Sequence, residues 1–418
     1  MVKVFILYLK QKSIIIYMVE QRYIMINSKK YDITHFKHPG GNVINYMING
    51  QDATESFNEF HYRSKRAHKI LESLPYEKID DYKPDDDILL KNFKQFREQL
   101  IKEGLFEPSN YHIIGRIVQM VFIYGLATYT INYNCMCAAI LYGIFGGQCG
   151  WLQHEAGHNS LTGIIKLDKL IQEFIMGFGL YGSASKWNRM HNRHHATPQK
   201  VGHDMDLNTT PFVAFYKGAL EDNKTKKNKY VYLWLKYQMY TFLPITSGIL
   251  IPFMWRFNLH LNHSIREKRW NELFFVFFGT FLQIFNFMYF GNINYKYGLL
   301  YHFISSWVSY LYIFGHFSLS HTTTDIVERD EDPSWVRYAI EHSVDIGTKN
   351  PIVSWIMGYL NFQVIHHLFP SMPQYNGGKV SVKLIEFCKE NNINYKIIGY
   401  RKAWYDMLSN LDSVGHIR

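Results

Sequence analysis

The sequence predicts a multidomain chain: a small α+β unit at the N-terminus, followed by an all-α integral membrane unit with about four transmembrane helices. Three observations predict this. Residues 23–74 form short mixed segments without a long apolar run, and from His112 onward the composition turns sharply apolar. Within that second part, four runs approach the ~20 apolar residues that a membrane span needs. The expected boundaries are 19–80 for the first unit, 81–110 for a linker and 111–418 for the membrane unit. A length of 418 residues already favours two units over one.

The first 17 residues are apolar but broken by Lys3, Lys10 and Lys12, and no small-residue cleavage site follows, so they do not read as a secretory signal. Tyr23 to Ile26 and Tyr31 to Thr34 read as strands. Between Phe36 and Asn42 lies His38-Pro39-Gly40-Gly41, where proline fixes the backbone ahead of two permissive glycines and the chain can turn sharply around a ligand. His61 follows 23 residues after His38. Two neutral imidazoles on opposite faces would close both axial positions of a haem, which suits electron transfer. The connector from Ser73 to Glu107 contains Pro75 and two acidic runs, Asp80-Asp81 and Asp85-Asp86-Asp87, followed by helix-like charged sequence, and reads as a hinge between two units.

The four apolar runs are Ile113 to Ile131, Cys135 to Leu152, Leu273 to Phe290 and Leu299 to Leu319, arranged as two tight hairpins. Arg116, near an end of the first run, is placed to snorkel to the interface. Val231 to Trp255 is also apolar but interrupted by Lys236, Pro244 and Pro252, so it reads as an interfacial or re-entrant piece. The formal net charge is +10, held in short loop clusters such as Lys224, Lys226, Lys227 and Lys229. No basic stripe with interleaved aromatics accompanies it, which excludes a nucleic-acid reading. The hairpin tips carry almost no positive charge. By the positive-inside tendency the flanking segments, and the N-terminal unit with them, face the cytosol. Four cysteines without zinc or disulfide spacing fit a reducing compartment.

Three histidine clusters lie on that side. His154-Glu155-Ala156-Gly157-His158 has i,i+4 spacing, which puts both imidazoles on one helical face. His191-Asn192-Arg193-His194-His195 combines i,i+3 and i,i+4 relations. Gln363-Val364-Ile365-His366-His367 sets a glutamine three and four residues before a pair. Seven histidines exceed what one four-coordinate zinc takes, and they suit two metal ions sharing a site. Glu155, Asp204 and Asp206 stand near the boxes as candidate acceptors for imidazole N–H groups, although a solvated loop carboxylate is the ordinary expectation for the last two.

The stretch YDITHFKHPGGNVINYMINGQDATESFNEFH resembles cytochrome b5 domains, with His38 and His61 at the axial-ligand positions. The boxes HEAGH, HNRHH and QVIHH, with GGQCGWLQHEAGHNS, KWNRMHNRHHATPQ and LNFQVIHHLFPSMP around them, are similar to those of front-end fatty acid desaturases fused to cytochrome b5. The resemblance covers nearly all of residues 23–375. Ile365 departs from it, because glutamate is common there; the side chain is expected to point away from the ligand face.

The resemblance implies two non-haem iron ions and haem b as cofactors, with O₂ as co-substrate. It implies His154, His158, His191, His194, His195, His366 and His367 as ligands, with Gln363 among the catalytic residues. His321, just past the last span, is the candidate further ligand, and His316 reads as a packed histidine. The implied partners are a fatty-acyl lipid, the bilayer and an NADH-cytochrome b5 reductase, since no dinucleotide-binding glycine fingerprint is present. The implied location is the endoplasmic reticulum, multi-pass, with haem unit and boxes facing the cytosol. A sphingolipid long-chain-base desaturase shares this layout. From a different class, a non-catalytic haem electron carrier would show haem without stoichiometric non-haem iron.

Overall fold

The structure, a computed structural model, describes residues 21–47, 52–221 and 228–417 in full, and the backbone of 5–10 and 13–18. Lys224, Lys226 and Lys227 of the basic cluster lie outside the described residues. Phe5–Lys10 (β1) and Ser13–Met18 (β2) pair as an antiparallel hairpin. Asn27 and Ser28, both left-handed (φ 52° and 56°), make the tight turn between Tyr23–Ile26 (β3) and Lys29–Asp32 (β4). A two-residue left-handed turn matches the twist of a hairpin, so the second strand begins two residues before the expected Tyr31. Tyr76–Lys78 (β5) completes the sheet on the far side of β4.

Thr54–His61 (α1) and Lys65–Ser73 (α2) follow the sheet. Ser64 caps α2, its hydroxyl oxygen accepting from the Ala67 N–H at 3.2 Å. Ile24, Ile26, Tyr31, Ile33 and Ala53 form the core of this unit.

The helix-like part of the connector is a 16-residue helix. In Asp87–Lys102 (α3), Leu89, Phe93, Phe96 and Leu100 recur at helical spacing and are buried. They pack into one cluster with Trp335, Phe369 and Phe387, and the Phe93 and Phe369 rings stack at 5.4 Å. The charged residues mark only the solvent face of an amphipathic helix.

Asn110–Thr130 (α4), Cys135–Gly157 (α5) and Trp270–Gly291 (α8) are long and apolar enough to cross a membrane. Between α5 and α8 come two shorter helices, Ile165–Leu180 (α6) and Ala184–Ala196 (α7). Tyr295–Phe317 (α9), equal in length to α5, is the fourth long helix expected, but it is less apolar than the three that are apolar enough to cross a membrane among the described residues. The reason is its inward face: His302, Ser305, Ser306, Ser309 and His316 are all buried. Outward-facing Val121, Phe122, Phe274, Phe277 and Phe281 are each more than half exposed, an apolar belt suited to lipid. Close helix contact depends on glycine. At Gly147 of α5 a Cβ would fall 1.6 Å from the Tyr312 ring of α9.

Arg116 is directed inward rather than snorkelling, because two amides receive it: its guanidinium donates to Oε1 of half-buried Gln119 and of buried Gln148, each at 3.1 Å. Residues 229–266 form one irregular helical stretch with two π-helical parts, Phe242–Leu250 and Met254–Leu261. Pro244 and Pro252 lack the N–H an α-helix would use, and the Pro244 carbonyl accepts instead from Trp307 Nε1 of α9 at 2.8 Å.

Trp335–Glu341 (α10), Pro351–Ile356 (α11) and Gln363–Leu368 (α12) follow α9. Asp345 in β6 (Asp345–Ile346, parallel to β7, Ile397–Ile398) accepts the Val364 N–H at 2.7 Å and so anchors the start of α12.

Candidate metal centre

His38 and His61 face one another across a cavity of about 360 Å³, with ring centroids 6.0 Å apart and planes at 89°. Ile33, Phe36, Val43, Ile44, Phe57 and Leu71 give it apolar walls. At Gly40 a Cβ would lie 2.7 Å from His38 Cε1, so only glycine leaves the imidazole its place. The His61 Nδ1–H donates to the Phe57 carbonyl at 3.0 Å, which turns Nε2 to the cavity, while the buried His38 Nδ1 has no partner among the described residues. Burial pushes His61 down to about 4 and holds His38 below its ordinary value, so both are neutral. Imidazole nitrogen binds a transition metal at roughly 2 Å, which puts two trans rings on one metal roughly 6 Å apart. The pocket fits a haem held by two imidazoles.

The boxes come from separate elements: His154 and His158 from the end of α5, His191, His194 and His195 from α7, His366 and His367 from α12. His321 is on the turn after α9. Folding sorts these eight into two groups. His154, His158, His191, His195 and His366 present nitrogens within 4.8 Å of one another, as do His194, His321 and His367. His195 Nε2 is 3.0 Å from His191 Nε2 and 2.9 Å from His366 Nε2, and His367 Nε2 is 3.2 Å from His321 Nε2. Ligands at roughly 2.1 Å on a six-coordinate ion sit roughly 3 Å apart, so these are the edges of coordination shells. The buried Nε2 atoms of His154 and His158 have no hydrogen-bond partner among the described residues. The donor set fits two metal ions, one to each group, and the His195 and His367 rings, one from each group, stack at 4.3 Å.

Burial, and after it the neighbouring imidazoles, holds His191, His195, His366 and His367 well below the ordinary histidine value, leaving lone pairs free for a metal. His321 is lowered to about 3, by burial first and then by His194. His194 goes the other way. Burial opposes its charge, but Asp204 and Asp206 outweigh burial and lift it to about 9.

Asp204 corrects the expectation of a solvated loop carboxylate, being 1 % exposed with Oδ2 accepting from His194 Nδ1–H at 2.9 Å. The turn after α7 brings it back: Gln199 N–H also donates to it, at 2.8 Å. Asp206 keeps an exposed side chain, 3.5 Å from His194 Nδ1. Glu155 faces away from the box imidazoles. It pairs with His112 at 3.1 Å and accepts the Gln374 N–H at 3.2 Å.

The side-chain amide of Gln374, which no sequence signal marked, lies 2.7 Å from His154 Nδ1. With that amide turned so that Oε1, otherwise unpartnered, accepts from Nδ1–H, His154 Nε2 is free for a metal. The Gln363 amide is 3.1 Å from both His321 and His367 Nε2. His316 joins neither group: its Nδ1–H donates to the Tyr312 carbonyl at 2.7 Å, and Nε2 is 2.9 Å from the Tyr400 hydroxyl. Ile365 is buried with Val364 and Leu368 in the α3 cluster, away from the ligands.

A second cavity, about 250 Å³, opens from His191, His194, His321 and Gln363. Trp187, Leu180, Trp255, Tyr310, Ile313 and Phe317 are among its walls, so it leads from the histidines between the helices.

Eight histidines gathered at the end of an apolar helical bundle, with a two-imidazole haem pocket beside them, define a membrane oxidoreductase. Residues 133–399 match the fatty acid desaturase family, and residues 18–78 match the cytochrome b5-like heme/steroid binding domain. The chain is 36% identical over 416 residues to an acyl-lipid (8-3)-desaturase of Thraustochytrium sp, covering 95% of this chain and 93% of the relative. It is 36% identical over 402 residues to an acyl-lipid (8-3)-desaturase of Rebecca salina, covering 95% and 92%. An acyl-lipid (9-3)-desaturase of Physcomitrium patens is 27% identical over 413 residues, covering 94% and 75%. The chain belongs to the fatty acid desaturase family and carries a cytochrome b5-like domain fused at its N-terminus.

Proposed function

We propose that the chain is a front-end fatty-acyl desaturase of the (8-3) class, inserting a cis double bond between an existing one and the carboxyl end of a lipid acyl chain. The observation that carries this reading is the pairing of two histidine clusters with an apolar cavity opening from them, in a chain with its own haem pocket. His154, His158, His191, His195 and His366 would hold one iron, and His194, His321 and His367 the other, with Gln363 completing the second set. Two irons there would supply the O₂-derived oxidant that no side chain provides. The reaction removes two hydrogens from the acyl chain; with two electrons and two protons they reduce one O₂ to two water molecules.

The protein's own part is positioning. Trp187, Leu180, Ile313 and Phe317 hold the acyl chain and exclude water, and Asp204 fixes the His194 ring through Nδ1–H. Electrons reach the haem from an NADH-cytochrome b5 reductase. The protein sits in the endoplasmic reticulum membrane with haem unit and histidines on the cytosolic side. Both relatives spanning the chain at 36% identity are named acyl-lipid (8-3)-desaturases, which favours an acyl lipid over a sphingolipid base.

Expression in a desaturase-poor yeast fed polyunsaturated fatty acids, with double bonds mapped by mass spectrometry, tests the reading. A new bond on the carboxyl side of an existing one is expected. New bonds confined to long-chain bases, or none in haem-loaded protein, would overturn it. Asp204→Ala should weaken iron retention about 10–100-fold, the usual cost of losing a ligand's supporting partner. Iron content after a chelator challenge reads this directly, and unchanged retention would remove Asp204 from the site.

A further inference from the structure

The haem pocket is not closed by the N-terminal unit alone. Gly157, His158, Ala196, Pro370 and Ser371, all from the membrane unit, line the same cavity as His38 and His61. Ala196, the last residue of α7, lies within the hydrophobic core of the N-terminal unit. Polar contacts hold the two together: Ser371 Oγ–H donates to the Glu59 carbonyl at 2.8 Å, Arg63 donates to the Ser371 carbonyl at 3.3 Å, and Arg97 of α3 pairs with the fully buried Glu59. On the other flank the Arg193 guanidinium lies 4.7 Å over the Tyr46 ring.

One aromatic residue bridges the two sites. Phe60 immediately precedes His61, lines the haem cavity, and places its ring edge-on to His195 at 6.3 Å and to Trp335 at 5.7 Å. His195 is the imidazole whose Nε2 faces both His191 and His366.

We propose that the haem unit is seated as a fixed donor on the histidine centre, and that Phe60 is the positioning residue that brings the haem held by His61 into electronic contact with His195. This rests on the desaturase reading and specifies how its electrons arrive. Each transfer moves one electron: the haem iron passes from ferrous to ferric as the histidine-held metal centre gains that electron. Two transfers serve each O₂, with the haem re-reduced between them by a nicotinamide-dependent flavoprotein reductase. Pro39, Gly40 and Arg66 also line the pocket and are exposed, leaving the reductase a part of its rim that the membrane unit does not cover.

The test uses the full haem- and iron-loaded chain under argon, its haem reduced by a deazaflavin flash and followed at its visible band. In the wild type the ferrous haem is re-oxidised by the ferric centre. Phe60→Leu should slow that phase by about tenfold or more, as expected when a positioned contact is lost, and Phe60→Tyr, which keeps the ring, should restore it. Haem content, haem spectrum and hydrogen exchange of residues 54–63 and 369–372 should match the wild type in both variants. A Phe60→Leu rate equal to the wild type would overturn the bridge alone. Rapid hydrogen exchange across 54–63 and 369–372 in the wild type would overturn the fixed seating. A wild-type haem that stays ferrous beside a full complement of iron would overturn the electron-acceptor reading of the histidine centre and the proposal with it.

Discussion

His195→Ala should abolish desaturation while leaving the haem spectrum unchanged. His195 stands where the two groups meet. Its Nε2 is 2.9 Å from His366 Nε2 and 3.0 Å from His191 Nε2, and its ring stacks on His367 at 4.3 Å. Alanine therefore removes one candidate ligand of the five-histidine group and the ring contact that joins this group to the other. Loss of a supporting partner already costs about 10–100-fold in affinity or activity, so loss of a ligand should exceed the upper end of that range. The iron-to-haem ratio of the purified chain is the decisive number, because haem binding depends on a different pair of imidazoles. A ratio and product yield equal to the wild type would mean that the five-histidine group does not hold metal.

The second large effect is expected at His61. Its Nδ1–H is committed to the Phe57 carbonyl, and Nε2 faces His38 across the cavity. His61→Ala should lose the haem absorbance and the NADH-driven formation of product, yet keep its iron, since no iron ligand is disturbed. The two variants thus dissociate the cofactors in opposite senses. Normal haem content in His61→Ala would show that His38 and His61 are not the axial pair, and loss of iron along with the haem would point to a collapsed fold.

Much of the site was legible because its signals are local. A Pro-Gly-Gly turn after His38 and i,i+3 or i,i+4 spacing within each box are properties of short contiguous segments, and helix geometry alone puts those imidazoles on one face. His321 came within reach only through the family resemblance, as the histidine just past the last apolar run. The sorting of eight histidines into groups of five and three was not legible, because neither group follows the boxes: α7 contributes His191 and His195 to one and His194 to the other. Asp204 illustrates the same limit. In sequence it is a loop carboxylate ten residues after His194, and only the turn through Gln199 buries it against that ring. Gln374 reaches His154 across a separation of 220 residues, for which no spacing rule exists.

The apolar stripe of the connector helix and the polar inner face of the fourth long helix were hard to read for a related reason. Composition averages the two faces of a helix. The acids ahead of α3 hid the stripe of Leu89, Phe93, Phe96 and Leu100, while the buried serines and histidines of α9 sit on a face that lipid never meets.

By itself, the sequence determined the two units, the apolar helices and the three histidine boxes, since each is written in a contiguous segment, and it singled out His38 and His61 as a candidate haem pair. Only the tertiary structure decided which imidazoles gather into each group, which carboxylate and amide touch them, and where the N-terminal unit rests. Those choices depend on side chains that meet through burial across long separations, and burial is a property of the packed chain.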